Sequence, residues 1–265
     1  MGAKELKTIW KSLTCTQTLF LSCPVFECLY EGTRGPGKTD TLLMDFAQHV
    51  NQGYGSDWRG ILFRREYKEL ADVIKKSKKW FSEAFPNAQF LESASELRWK
   101  WPEGEELLFR YAKKEADYWD YHGHEYPWIG FEELTSWETE GFYDSMKSVC
   151  RSTRDDMPRK FRATANPWGR GHHWVTKRFV DPAPPGTVIT DDQGRKRCRL
   201  TGYIFENPYL IENDKEYILN IFCQKAETNR TAWSYAYWDI SSGGFFADFW
   251  FTQTHHLPNF AIPNA

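Results

Sequence analysis

The run Gly32-Thr33-Arg34-Gly35-Pro36-Gly37-Lys38-Thr39 limits what this chain can fold into more than any other stretch. Gly32, Gly37, Lys38 and Thr39 satisfy G-x-x-x-x-G-K-[ST], a pattern whose chance occurrence in a chain this long is on the order of 1%. Its flanks fit the pattern too. Val25-Phe26-Glu27-Cys28-Leu29-Tyr30 reads as a short strand entering the loop. Thr39 to Asn51 reads as a helix leaving it, with Leu42, Leu43, Phe46, Ala47 and Val50 at helical spacing. Glycines let backbone N–H groups curl around phosphate oxygens, and the helix start adds its positive end. A lysine there bridges the terminal phosphates, and the hydroxyl that follows binds Mg²⁺. Residues 32–39 (Gly32, Thr33, Arg34, Gly35, Pro36, Gly37, Lys38 and Thr39) are therefore the expected nucleotide-binding loop, with ATP and Mg²⁺ as ligands. Pro36 lacks an N–H, so this cradle has one donor fewer than it might.

The rest of the chain alternates strand and helix patterns. Gly60–Arg64 reads as a strand and Tyr67–Phe85 as a helix stopped by Pro86. Gln89–Arg110 reads as extended segments turning at Pro102-Glu103-Gly104, and Trp128–Phe131 as a short apolar strand. Phe142–Cys150 reads as helix, Phe161–Ala165 as strand, Val188–Phe205 as a hairpin turning at Asp191–Gly194, and Asp214–Phe222 as helix. The alternation predicts an α/β fold with a mostly parallel central sheet flanked by helices.

An ATPase needs one carboxylate for its metal and one to polarise water. Trp128-Ile129-Gly130-Phe131-Glu132-Glu133 supplies two at the end of an apolar strand. Glu132 is assigned to the metal shell with Thr39, and Glu133 to the water. The catalytic set is then Glu133, Lys38 and Arg34. The alternative for the acids is a solvent-facing pair at a helix start.

Charge narrows the partners. The net charge is −2, so any nucleic-acid contact has to be a local patch rather than a general coat. The densest basic run is Arg195-Lys196-Arg197 with Arg199, beside the predicted hairpin turn. It is the candidate DNA contact, against the alternative of a solvated surface. Lys75-Lys76 and Lys78-Lys79 form a second cluster with the same two readings. No stretch is long and apolar enough to span a membrane, and the early apolar segment Thr14–Tyr30 contains Gln17, Pro24 and Glu27, unlike a secretory leader. Cys15, Cys23, Cys28, Cys150, Cys198 and Cys223 lack paired C-x-x-C spacing and read as reduced thiols. His172-His173 and His255-His256 are adjacent pairs whose members point apart, which speaks against a shared metal.

Several segments occur in the order found in one family. They are the loop with arginine inside it, Tyr121-His122-Gly123-His124-Glu125-Tyr126-Pro127-Trp128-Ile129-Gly130-Phe131-Glu132-Glu133-Leu134-Thr135, Arg162-Ala163-Thr164-Ala165-Asn166-Pro167, Phe205-Glu206-Asn207-Pro208-Tyr209-Leu210 and Gly244-Phe245-Phe246-Ala247-Asp248-Phe249-Trp250. Together they resemble the N-terminal ATPase domain of the large terminase subunit of tailed bacteriophages. The loop motif is specific by itself; for the others the ordered set carries the likeness.

The resemblance implies a RecA-like, additional-strand P-loop ATPase fold. It implies packaging of double-stranded DNA into a procapsid in the host cytoplasm, as a ring on the portal protein, with a small terminase subunit as partner. Residue by residue, Gln17 matches the glutamine that reads adenine, and Arg34 the loop arginine that acts on the γ-phosphate. Glu132 stands where the family usually has Asp. Thr164-Ala165-Asn166 matches the segment coupling hydrolysis to movement.

Residues 1–250 are expected to form the ATPase domain, and 251–265 the start of a linker to a nuclease domain absent here, so no DNA cleavage is expected. A ring motor often borrows an arginine from its neighbour. Arg151 and Arg154, on an expected helix, are the leading candidates, with Arg110 behind them. The alternatives to a packaging motor are another nucleic-acid motor of helicase or recombinase type, and a non-catalytic nucleotide-binding assembly module.

Overall fold

A computed structural model of the protein describes residues 7–13, 15–93 and 96–239. The resemblance segment Gly244–Trp250, the expected linker 251–265 and His255-His256 lie outside the described residues.

The described strands are β1 (Glu27–Gly32), β2 (Arg59–Arg64), β3 (Gln89–Leu91), β4 (Arg98–Lys100), β5 (Glu106–Tyr111), β6 (Trp128–Phe131), β7 (Lys160–Ala165), β8 (Ile189–Thr190) and β9 (Lys196–Gly202). The α-helices are α1 (Cys15–Ser22), α2 (Lys38–Ala47), α3 (Leu70–Ala84), α4 (Gly141–Ser145), α5 (His172–Val175), α6 (Pro208–Asn213), α7 (Lys215–Phe222) and α8 (Glu227–Tyr235). One sheet runs β3-β4-β5-β2-β6-β7-β1-β9-β8. Its centre, from β5 to β9, is parallel, while the β3–β4–β5 end and the β8–β9 hairpin pair antiparallel.

The strand period of two sorts side chains onto two apolar layers. Cys28, Tyr30, Leu62 and Trp128 face a core closed by α1, α2 and α3, while Leu29, Ile61, Phe63 and Ile129 face one closed by α4, α5 and the turns around them. On α3 the buried residues Leu70, Val73, Ser77 and Phe81 recur at helical spacing, and Phe85 leaves helical geometry just before Pro86. Many of the aromatics are core. Phe46 stacks on Trp58 and meets Trp101 and Trp128 edge-on or tilted, with centroids 5.4–5.6 Å away. Trp119, by contrast, is exposed.

The expected segments differ from the observed ones mainly where tertiary contacts decide. Phe142–Cys150 is a single turn of α-helix followed by a tighter turn, Met146–Val149. The segment before the phosphate loop contains α1, held by burial of Gln17 and Phe20 rather than by an amphipathic stripe. His172 to Val180 is helical, ending in a wide turn.

Within the layer closed by α2 lies a charged group with few other solutions. Asp45 is fully buried and takes Lys160 at 2.9 Å, Arg162 at 3.3 Å and the Trp128 indole N–H at 2.8 Å. Burial without partners would be prohibitive for any of these charges. Asp45→Ala leaves both cations uncompensated and is expected to cost about 3–5 kcal/mol. Urea unfolding monitored by tryptophan fluorescence measures this, and a loss under 1 kcal/mol would refute the account.

Candidate active site

In a parallel sheet the carboxyl ends of neighbouring strands open onto one edge. Here β6, β7 and β1 lie side by side, with Phe131 opposite Ala163 and Ala165 opposite Glu31. The residues that follow each strand therefore meet: the glycine-rich loop after β1, Glu132 and Glu133 after β6, Asn166 after β7.

The loop is shaped by its glycines. Gly37 caps α2 with a left-handed backbone (φ 84°), and a Cβ there would strike the Gln17 amide. Gln17 is buried; its Nε2 donates to the Pro36 carbonyl at 2.8 Å and its Oε1 accepts from the Leu13 N–H at 2.7 Å. Asn207 Nδ2 donates to the Gly35 carbonyl at 2.8 Å. The loop that Pro36 deprives of one donor is thus held from outside by two amide side chains.

Lys38 is buried. Its ammonium donates to the carbonyl of Thr33, weakly to that of Gly32 at 3.4 Å, and to Asn166 Oδ1 at 2.9 Å. Burial pulls its pKa down to about 8, opposed chiefly by Glu133 and Glu31. Asn166 then passes the contact on: its Nδ2 donates to both Glu133 carboxylate oxygens at 2.8 Å. Glu133 sits at φ 57°, a left-handed conformation that costs a residue with a Cβ on the order of 1 kcal/mol. Thr164 Oγ1 helps hold it by accepting the Glu133 N–H at 3.2 Å.

Glu132 is buried beside the Arg64 guanidinium at 3.5 Å. Burial raises its pKa, while Arg64 and a hydrogen bond from Thr39 lower it. The Thr39 hydroxyl and the Glu132 carboxylate are hard oxygen donors side by side, a donor set suited to Mg²⁺. A cleft of about 620 Å³ is lined by Thr39, Lys38, Arg64, Lys76, Glu133 and Asn166 among others, while Glu132 is buried beside Arg64 and does not line it. Its lining sets the cations of Lys38, Arg64 and Lys76 beside the Glu133 carboxylate, groups able to hold a polyphosphate.

Not all of the other expected residues reach this cleft. Arg34 is exposed at the same cleft, with its guanidinium 3.6 Å from the centroid of Trp233. Ala165 is buried in β7 and its methyl joins the apolar layer, so only its backbone serves the site. Arg151 and Arg154 are not on a helix but in the irregular segment before β7. Arg154 pairs with Asp156 at 2.8 Å and Asp57 at 3.5 Å, and Arg151 with Glu125 at 3.4 Å. Arg110 donates to the carbonyls of Leu97 and Phe109.

The basic run needs a correction. Arg199 lies in β9, buried, paired with Glu31 at 2.8 Å, and cannot present its charge to DNA. Both faces of β9 are covered at this point, so Cys198, Arg199 and Leu200 are all buried. Arg195 and Lys196 are exposed, Arg195 bridging to Asp191 at 2.7 Å, and Arg197 donates to the Arg178 carbonyl. These residues lie at the amino end of β9, the edge opposite the phosphate loop.

The sequence reading missed Arg64, Lys76 and Trp233 at the cleft. A basic residue closing an apolar strand beside the first one was the available signal for Arg64. For Lys76, weighed only as a DNA contact or a solvated charge, and for Trp233 there was none.

A family model described as terminase large subunit, T4likevirus-type, N-terminal, matches residues 29–253. No curated protein sequence matches the chain. Among solved structures, the large terminase of a thermophilic bacteriophage superposes with TM-score 0.64 at 16% identity, over 86% of this chain and 53% of that one. The same terminase in complex with ADP gives TM-score 0.61 at 13% identity, over 94% and 59%. The large terminase ATPase domain of Thermus phage P74-26 gives 0.52 at 12% identity, over 83% and 92%. The chain thus spans little more than half the length of the thermophilic phage protein, and nearly all of the isolated Thermus phage domain. At these identities the superpositions speak for the fold, a RecA-like P-loop domain with a mostly parallel sheet. The family match extends from the first strand past the last described residue, and by it this chain belongs to the large terminase subunits of the T4-like type, as their N-terminal region.

Proposed function

We propose that this chain is the ATPase of a viral DNA-packaging motor. It hydrolyses ATP to drive double-stranded DNA into a procapsid, working in the host cytoplasm as a ring on the portal protein with a small terminase subunit. The observation that carries the reading is Asn166, which joins Lys38 at one end of its amide to Glu133 at the other.

Lys38 and the loop amides bind the β- and γ-phosphates, with Arg34, Arg64 and Lys76 adding positive charge around them. Thr39 and Glu132 would hold Mg²⁺, which when bound neutralises phosphate charge. Glu133, fixed in one orientation by Asn166 and Thr164, orients the attacking water. A second cleft of about 710 Å³ shares Gly37, Asp40 and Asn207 with the first and is lined by Trp10, Gln17, Trp80 and Tyr209. Its apolar walls suit a purine base, which supports Gln17 as the adenine contact.

Phosphate between Lys38 and Glu133 competes with Asn166 for the ammonium. Asn166 is therefore placed to report the presence of the γ-phosphate to β7 and to the 135–168 contacts made by the Thr135 hydroxyl. Arg151 or Arg154 is proposed to serve a neighbouring subunit. Arg195, Lys196 and Arg197 remain the proposed DNA-phosphate contacts, with Arg199 removed from that set.

Glu133→Gln is expected to lower ATP turnover by about 10²–10⁴-fold with binding retained, and Lys38→Ala to abolish turnover. Phosphate release assays measure both. Tight ATP binding by the wild type with no phosphate release would instead favour a non-catalytic assembly module. Asn166→Ala is expected to leave measurable hydrolysis while abolishing packaging in a procapsid assay; parallel loss of both would remove the coupling role.

The Lys38 pKa gives a pH signature. Binding needs the ammonium, which is mostly present at pH 7 and falls to about a tenth at pH 9 when the pKa is near 8. Affinity for Mg·ATP should therefore weaken about tenfold between these values in the wild type. Equal affinity at both pH values would contradict the buried-lysine account.

A further inference from the structure

Cys23 and Cys28, close in sequence, meet the distant Cys198 beneath the sheet. Cys28 in β1 and Cys198 in β9 are register partners on adjacent parallel strands, and Cys23 reaches them from the turn after α1. Sγ of Cys198 lies 3.6 Å from Sγ of Cys23 and 3.6 Å from Sγ of Cys28, and all three sulfurs fall within 4.8 Å of one another. All are buried, and none is in a disulfide.

Two observations make this more than thiol packing. The first is spacing. A tetrahedral ion with metal–sulfur bonds of about 2.3 Å sets its sulfurs about 3.8 Å apart, close to the two short edges seen here. The second is charge. The neighbouring buried ionic group is Asp45 with Lys160 and Arg162, two cations against one carboxylate, and Arg162 also donates to the Cys23 carbonyl at 2.9 Å. With three neutral thiols the buried set carries one net positive charge. A divalent ion on three thiolates carries one negative charge and brings the set to neutrality.

An entry path is also present. A surface cleft of about 390 Å³ is lined by Cys23 together with Pro24, Met157, Lys160 and Arg162, so one member of the sulfur group borders solvent-accessible space.

We propose that Cys23, Cys28 and Cys198 form a three-thiolate site for a zinc-class ion, with water from the cleft as fourth ligand. On binding, three S–H bonds break, three metal–sulfur bonds form, and three protons leave to solvent; nothing is oxidised or reduced. The ion would staple α1 to β1 and β9. Because α1 carries Gln17, which holds Pro36, the staple braces the phosphate loop from behind. Sequence spacing pointed away from such a site because none of the three lies in a paired motif; the strand register supplies the pairing instead.

The test uses the reduced, metal-free full chain titrated with Co²⁺ as probe under anaerobic conditions. A thiolate-to-cobalt charge-transfer band should grow to saturation at one equivalent, be displaced by Zn²⁺, and be unaffected by excess Mg²⁺. Cys15→Ser and Cys223→Ser, at exposed thiols, should keep the band; Cys23→Ser and Cys198→Ser should lose it. Cys23 lies off the sheet, so its variant answers the question even if Cys198→Ser fails to fold. No charge-transfer band from folded wild type would overturn the site, as would a band that survives Cys23→Ser unchanged. In that case the short sulfur contacts are thiol packing alone.

Discussion

A buried ammonium has to be surrounded by acceptors, and much of this active edge follows from that requirement at Lys38. The side chain is buried, and the carbonyls of Thr33 and Gly32 and the amide oxygen of Asn166 all point to its nitrogen. An amide with its oxygen committed must aim its N–H groups the other way, and here they meet Glu133. One desolvated charge thereby sets the rotamer of the residue that follows β7 and the orientation of a carboxylate just past the end of β6. The left-handed backbone at Glu133 is tolerated because these contacts over-determine it.

The same logic recurs deeper in the sheet. Glu31, one residue before the loop, is buried against Arg199, with the Trp238 indole N–H donating at 2.8 Å. Glu27, at the start of the same strand, takes Arg178 at 2.7 Å and Lys147 at 3.0 Å, and the cations hold its carboxyl below the usual range despite its burial. With Asp45, these groups pin β1, β7 and β9 at several points along their length. Such pairs contribute little net stability over apolar packing, but breaking one is costly, so they favour a single register. The aromatic cluster around Phe46 adds the nonpolar stabilisation they do not provide.

Much of this was legible beforehand. The phosphate loop, the strands before and after it, the acids ending β6 and the hairpin at Asp191–Gly194 could be read because each depends on local backbone chemistry: glycine freedom, strand and helix periods, turn residues. The residues that escaped such a reading escaped for a common reason. Arg199 belonged to a basic run, yet it lies where both faces of β9 are covered, and its side chain pairs with Glu31. Lys76 looked like one more solvated lysine until α3 packed beside the loop. Trp233 lies some two hundred residues from Arg34, and only the packing of α8 brings the ring onto the guanidinium.

What the chain's order of residues determined alone was therefore the kind of chemistry: a loop able to wrap phosphates, a lysine within it, and two carboxylates at a strand end. Those properties belong to segments a few residues long, whose conformations are set by local sterics and hydrogen bonding. What the tertiary structure decided was partnership. It decided which carboxylate Asn166 would orient, which arginine would stand beside Glu132, which basic residues would be spent in the core and which three cysteines would meet. Those outcomes depend on the lateral order and register of strands, and these are fixed by the burial of two apolar layers and the pairing of buried charges across the whole sheet.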